Sequence, residues 1–211
     1  MTCHPLSRPT LAALLITLSV PPVAFAQRSG SSIPSEKIFE AIGVREGITV
    51  CEIGAGDGEL TIAAAKLVGS AGRVYTSELG EDRVKTLREK AAASALGQIT
   101  VVAAGAAKTN FPDAGCDALF MRNVYHHFGD PPVINASISA AVKAGGRVAI
   151  VDFAPPDAEA AQPADRSKDG LHGVTPETVA REMKGVGFTL LSSETGSQRW
   201  FMVVVSKPGA E

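Results

Sequence analysis

The amino-acid sequence predicts an α/β sandwich in which helices cover both faces of a mostly parallel sheet. From residue 49 onward, short apolar segments of strand character alternate with longer segments of helical periodicity. A glycine-rich turn joins the first of these strands to the helix that follows it. Two strands separated by only a few residues end the chain, and a link that short joins antiparallel neighbours.

The predicted elements follow one another regularly. A short helix begins after a cap at Ser35 and carries an apolar face that includes Ile38 and Phe39. The predicted strands are residues 49–53, 73–77, 99–103, 117–122, 146–153, 188–193 and 199–206. The predicted helices are residues 60–68, 82–95 and 131–142, and a last one that starts at 175–177 and ends near Gly185 or Gly187. The fifth strand is a long apolar run, which is typical of a sheet covered on both faces.

The first 26 residues differ in composition from the rest of the chain. Arg8 gives a weakly positive start, residues 11–20 are mostly apolar, and Ala24-Phe25-Ala26 is a small-residue cleavage pattern. The predicted organisation is a signal peptide at 1–26, a flexible leader at 27–35 and one domain at 36–207. A signal peptide of this kind predicts export to the periplasm. The apolar run is too short for a stable membrane span. The alternative is a disordered or amphipathic extension on a cytoplasmic protein.

Charge and cysteine content narrow the classes of partner. The formal net charge is −2 with no long basic run, which argues against nucleic acid, and the sequence does not fix an oligomeric state. No Cys/His cluster has the spacing of a zinc site, so no metal is predicted. Cys51 and Cys116 precede acids in apolar strands and are predicted to be buried free thiols. Cys116 would lie too low in the sheet to reach Cys51.

The glycine-rich turn is the segment with the clearest chemistry. Gly54, Gly56 and Gly58 follow a strand and precede a helix, so a ligand could approach the backbone closely. The dinucleotide pattern G-x-G-x-x-G is not met, because the third glycine comes one residue early. Asp57 in the turn, with Glu52 before it, would repel phosphates and favours a cationic or hydroxyl-bearing ligand.

A further acid, Glu78, closes the second strand about twenty residues after the glycines. Nucleotide-binding α/β folds place an acid at that position to receive ribose hydroxyls. The alternative is an acid that stabilises the start of the next helix through the helix dipole. The spacing from the glycines favours the ribose contact.

Four segments together resemble the class I S-adenosylmethionine-dependent methyltransferases. Residues 50–58 resemble the glycine motif of that family, 73–78 its second strand, 116–128 its fourth-strand motif, and 142–148 the turn before its fifth strand. They occur in the family's order over roughly residues 36–206. The resemblance implies a seven-stranded sheet of order 3-2-1-4-5-7-6 with strand 7 antiparallel, and S-adenosylmethionine as the cofactor.

The resemblance also implies the cofactor-binding residues. They are Glu52, Gly54, Ala55, Gly56, Asp57, Gly58, Glu78, Ala106 and Asn123. Glu78 would receive the ribose hydroxyls, and Asn123 would lie at the mouth of the fourth strand. Ala106 stands where the family usually has an acid for the adenine amino group. The loss of that hydrogen bond would cost about 1 kcal/mol of binding free energy.

Histidines just past the fourth strand are the candidates for catalysis. His126 or His127 could take a proton from a hydroxyl acceptor, although either ring could instead serve local packing. Tyr125, Asp152 and His172 are predicted to line the acceptor pocket.

The predicted activity is methyl transfer to a small molecule. One alternative is a non-catalytic binding or regulatory module on the same fold, favoured by Ala106 and by export away from the cytosolic cofactor. A nicotinamide-dependent oxidoreductase is disfavoured by the glycine spacing.

Overall fold

A seven-stranded sheet forms the middle layer of the fold in a computed structural model that describes Met1 and residues 33–209. The strands are β1 Thr49–Ile53, β2 Arg73–Glu78, β3 Ile99–Ala103, β4 Cys116–Arg122, β5 Val142–Phe153, β6 Thr189–Thr195 and β7 Trp200–Ser206. Their order is β3-β2-β1-β4-β5-β7-β6. The first five strands run parallel, and β7 is antiparallel to both of its neighbours. The predicted fold class and strand order are confirmed.

Helices cover both faces of this sheet. They are α1 Ser35–Ala41, α2 Glu59–Val68, α3 Glu81–Ala93, α4 Pro131–Ala141 and α5 Pro176–Gly185, with single 3-10 turns at Tyr125–His127 and Pro163–Asp165. One core cluster packs α4 and α5 against the sheet, and a second packs α1 and α2 against the other face. This two-sided burial explains why the central strands are apolar throughout rather than alternating.

Most predicted boundaries agree to within one or two residues, and three local predictions were wrong. β5 begins at Val142 rather than 146, because Val142 pairs with Cys116 before the register shifts and Arg147 pairs with Ala118. Ser35 is the first residue of α1 rather than its cap, and Pro34 precedes it with no side-chain hydrogen bond to the helix. Ile33, assigned to the flexible leader, is buried in the core cluster that includes α1.

The predicted signal peptide and the rest of the leader fall in residues 2–32, which lie outside the described residues. Among the residues that the structure does describe, no helix is both long enough and apolar enough to cross a bilayer.

Cys51 and Cys116 form a disulfide with their Cα atoms 5.8 Å apart, so the prediction of two free thiols was wrong. Regular pairing sets Cys51 opposite Leu119, which would leave Cys116 three residues away along β4. Cys116 begins β4, beyond the first β1–β4 pair at Val50 and Ala118. Both side chains lie in the core cluster that contains α4 and α5. A disulfide is typical of proteins that leave the reducing cytosol.

Reduction of this disulfide should destabilise the protein. The bond joins residues 65 apart, and removing such a cross-link costs about 4 kcal/mol through the entropy of the unfolded chain. Urea denaturation with and without a phosphine reductant should show a lower midpoint for the reduced protein. The double variant Cys51→Ala/Cys116→Ala is the control and should be insensitive to reductant. The assignment of the disulfide would be contradicted if the reductant left the denaturation midpoint of the native protein unchanged and if both cysteines reacted with an alkylating agent before any reduction.

Candidate functional site

A cavity of about 620 Å³ opens at the carboxyl edge of the sheet, above the ends of β1, β2 and β4. The strand order reverses between β1 and β4, and open α/β sheets bind ligands at such a switch point. Eight of the nine predicted cofactor residues line it. These are Glu52, Gly54, Ala55, Gly56, Asp57, Glu78, Ala106 and Asn123.

The glycines of the turn have different structural roles. Gly54 has φ +70°, and a Cβ atom built there would lie 2.4 Å from a methyl carbon of Val124, so only glycine fits. Gly56 has φ +54° with no atom within 4 Å of a built Cβ. Gly58, also predicted to bind the cofactor, does not line the cavity. It is buried at the N-cap of α2, where a Cβ atom would approach Leu87 to 3.0 Å.

The Glu78 carboxylate connects the end of β2 to the glycine turn. The backbone N–H of Gly56 donates to Glu78 Oε1 at 2.6 Å, and that of Leu79 donates to Oε2 at 3.0 Å. Arg83 Nε lies 3.7 Å from Oε2. Glu78 is buried except for its cavity side, and its oxygens keep lone pairs for a further donor.

Glu52 is the most deeply buried acid of the cavity wall. Its Oε2 accepts hydrogen bonds from the hydroxyls of Thr61 and of Thr76, the latter at 3.2 Å. Burial raises the pKa of Glu52 from its ordinary 4.5 to about 7, and the two hydroxyls offset only part of that rise. Its carboxyl therefore changes charge near neutral pH.

The segment after β3 forms part of the cavity wall and contributes no acidic side chain to it. Ala106 lines the cavity inside a tight turn in which the backbones of Gly105 and Lys108 pair at 2.9 and 3.3 Å. Lys108 lines the cavity, as do Arg83 and Arg122. Sequence reasoning missed these three cations, although Arg83 lies in the first turn of the helix that follows Glu78 and Arg122 ends the predicted fourth strand. The described wall therefore carries both charge signs.

The two candidate catalytic histidines occupy different environments. His127 lines the cavity, and its pKa is lowered by partial burial and by the neighbouring His126, which favours the neutral imidazole. His126 is 1% exposed and does not line the cavity. His126 Nδ1 lies 2.8 Å from Asp152 Oδ1, and its Nε2 lies 2.9 Å from His172 Nε2.

Tyr125, Asp152 and His172, predicted to line the acceptor pocket, are not among the residues that line this cavity. The Tyr125 hydroxyl is buried between Glu182 and Asn135, at 2.9 and 2.7 Å, and burial raises its pKa far above the ordinary value. Asp152 is fully buried, and its carboxylate contacts the ring of His126. His172 is exposed beside the histidines rather than inside the cavity. The sequence predicts where a strand ends, but it does not tell which face of the sheet each side chain points toward.

The raised pKa of Glu52 predicts a pH-dependent stability. A carboxyl whose folded pKa exceeds its unfolded pKa stabilises the fold below pH 4.5, and this contribution is lost as pH rises through about 7. Relative to the native protein, Glu52→Gln should therefore gain about 2–3 kcal/mol in free energy of unfolding between pH 5 and pH 8. Urea denaturation at both pH values measures this. The exposed neighbour Glu59→Gln should show no such change, and a pH-independent difference for Glu52→Gln would contradict the shift.

Comparison with known proteins agrees with this geometry. The family model described as "Methyltransferase domain" matches residues 51–150. A ubiquinone/menaquinone biosynthesis C-methyltransferase from Marinomonas sp. (strain MWYL1) is 32% identical over 118 residues, which are 56% of this chain and 47% of that protein. The chain thus spans about half the length of the curated relatives it matches.

Two solved structures extend the likeness to the fold as a whole. A S-adenosylmethionine-dependent methyltransferase from Aquifex aeolicus superposes with a TM-score of 0.72 at 22% identity, over 83% of this chain and 90% of that one. A possible exported protein from Bordetella parapertussis superposes with a TM-score of 0.66 at 19% identity, over 83% of this chain and 67% of that one. In its strand order, its glycine turn and the matched family model, the chain is similar to the class I S-adenosylmethionine-dependent methyltransferases.

Proposed function

We propose that this protein binds S-adenosylmethionine and transfers its methyl group to a small-molecule acceptor. The observation that carries the proposal is the contact between Glu78 Oε1 and the Gly56 N–H at 2.6 Å. It fixes a carboxylate for ribose hydroxyls beside a turn with open space above its backbone. Both groups belong to the 620 Å³ cavity.

The residues of the wall fit the charges of this cofactor. Besides Glu78 for the ribose, Glu52 and Asp57 are acids suited to its sulfonium and amino groups, and the cations Arg83, Lys108 and Arg122 are suited to its carboxylate. Bound there, the cofactor supplies an electrophilic methyl group for in-line displacement. The protein has to hold the acceptor in line and keep water out. Ala106 leaves the adenine amino group without a carboxylate partner on this part of the wall.

The acceptor side of the cavity is assigned to His127, Phe128 and Ile134. A neutral imidazole at His127 can accept a proton from a hydroxyl acceptor, and the two apolar side chains suit a small, partly apolar molecule. The Marinomonas relative is named as a C-methyltransferase of quinone biosynthesis, which also supports a small-molecule acceptor rather than a macromolecule.

Calorimetry on the purified protein tests cofactor binding. We expect micromolar binding of S-adenosylmethionine or of its demethylated product, weaker than with an adenine-binding acid by about 1 kcal/mol. Gly56→Arg should abolish binding, because the side chain would fill the cavity above the turn. Gly43→Arg is the matched control, since Gly43 also has positive φ and open space but lies away from the cavity. No binding of either compound by the native protein would contradict the proposal.

We also propose that the protein is exported, with cleavage near Ala26. The three-part pattern of residues 1–26, the Cys51–Cys116 disulfide and the fold shared with a possible exported protein of Bordetella parapertussis support it.

N-terminal sequencing of the protein from its native cells should give a chain that begins at Gln27. Ala24→Arg, which removes the small residue needed for cleavage, should leave the leader attached. Recovery of a native chain that begins at Met1, with Cys51 and Cys116 as free thiols, would contradict export.

A further inference from the structure

Three histidines come together beside the cofactor cavity. His126 and His127 belong to the 3-10 turn after β4, and His172 belongs to the connection between β5 and α5. One ring nitrogen from each lies within 4.8 Å of those of the other two. The sequence did not reveal this cluster, because 45 residues separate His172 from His127.

The hydrogen bonds of Asp152 fix the tautomer of His126. Asp152 is fully buried, and its carboxylate accepts backbone N–H groups from His126 at 3.2 Å and from Phe153 at 2.9 Å. A carboxylate that only accepts requires His126 Nδ1 to donate, so the Nε2 atom carries the lone pair. A carboxylate behind a histidine in this way is the usual support of a metal-binding imidazole.

His126 Nε2 directs that lone pair at His172, whose own Nε2 lies 2.9 Å away. Zinc–nitrogen bonds of about 2.05 Å at tetrahedral angles place two ligand nitrogens about 3.3 Å apart. A few tenths of an ångström of separation, with a tilt of the two rings that makes their lone pairs converge, would therefore admit a cation between them. Phe153 contacts both rings, with centroids at 5.0 and 5.1 Å, and so restricts their orientation.

We propose that His126, His127 and His172 bind a divalent transition-metal cation, zinc by ligand type, and that Asp152 positions His126 for it. Three imidazoles are a known ligand set for zinc and leave a fourth position open. His127 and His172 are exposed, so a cation can enter from solvent.

The site adjoins the cavity through His127, which belongs to both, and its single lone pair binds the cation or accepts a proton but cannot do both at once. The open position would accept an oxygen atom of the methyl acceptor, which narrows the acceptor to a hydroxyl- or carbonyl-bearing molecule. This narrowing rests on the proposed methyl transfer, whereas metal binding stands on the histidines alone.

The full chain, stripped with a chelator and dialysed, tests the site by calorimetric titration with Zn²⁺ and by the absorption spectrum with Co²⁺. We expect one ion per chain and the visible bands of a four-coordinate, nitrogen-ligated Co²⁺. His172→Asn should abolish stoichiometric binding, and Asp152→Asn should weaken it about 10–100-fold. The exposed Asp169→Asn is the control and should bind as the native protein does.

Absence of saturable binding by the native protein would overturn the site and leave the two facing imidazoles as a simple hydrogen bond. Binding that survives in His172→Asn would overturn it too. Circular dichroism shows whether each variant folds. If a variant does not fold, the Co²⁺ spectrum of the native protein still tests the site, because a spectrum without the bands of nitrogen ligands refutes it. Gly56→Arg should keep Zn²⁺ binding while losing the cofactor, which separates failure of this proposal from failure of the proposed function.

Discussion

The parallel pairing of β1 with β2 on one side and β4 on the other is the constraint on which the site depends. It brings the carboxyl ends of three strands to one edge, although their residues are up to seventy positions apart in sequence. The pairing continues past β1, since the N–H groups of Gly54 and Ala55 both donate to Ser77 O at 3.0 Å. The turn is therefore anchored to β2 before Glu78 contacts Gly56. The glycine turn in the cavity wall is thus joined to the sheet by backbone hydrogen bonds.

Three carboxylates buried at this edge differ in the donors that reach them. Asp152 has an imidazole and two backbone N–H groups, and Glu78 has two backbone N–H groups. Glu52 receives two hydroxyls, and burial raises its pKa despite them. Because an unpaired buried charge is costly, the kind of donor and the depth of burial set what each acid can do. Asp152 supports a neighbouring ring, Glu78 presents oxygens to a ligand, and Glu52 holds a proton near neutral pH.

Sequence predicted the fold and the cofactor side of the site better than the acceptor side. The bounds of β1 and β3 and the cavity-lining role of Glu78 follow from local patterns, namely apolar runs, glycines and their spacing. The sequence does not tell which way Asp152 points, because a strand buried on both faces shows no alternation between inward and cavity-facing side chains, and Tyr125 lies in the 3-10 turn after β4, where no strand pattern applies. The disulfide was missed because regular strand pairing sets Cys51 opposite Leu119, three residues from Cys116, and His172 was missed because no local pattern positions a long connection.

The contact between Gly54 and Val124 relates the two halves of the site. The turn after β4 begins at Asn123, whose φ of +61° suits asparagine, and its N–H donates to Val151 O at 2.8 Å. Val124 then lies against the Cα of Gly54, where no other residue would leave it room. His127 follows three residues later, and its N–H donates to Val124 O at 2.9 Å. The distance from the cofactor turn to the histidines is thus set by backbone contacts rather than by mobile side chains. A displacement reaction that requires acceptor and methyl group in line needs that rigidity.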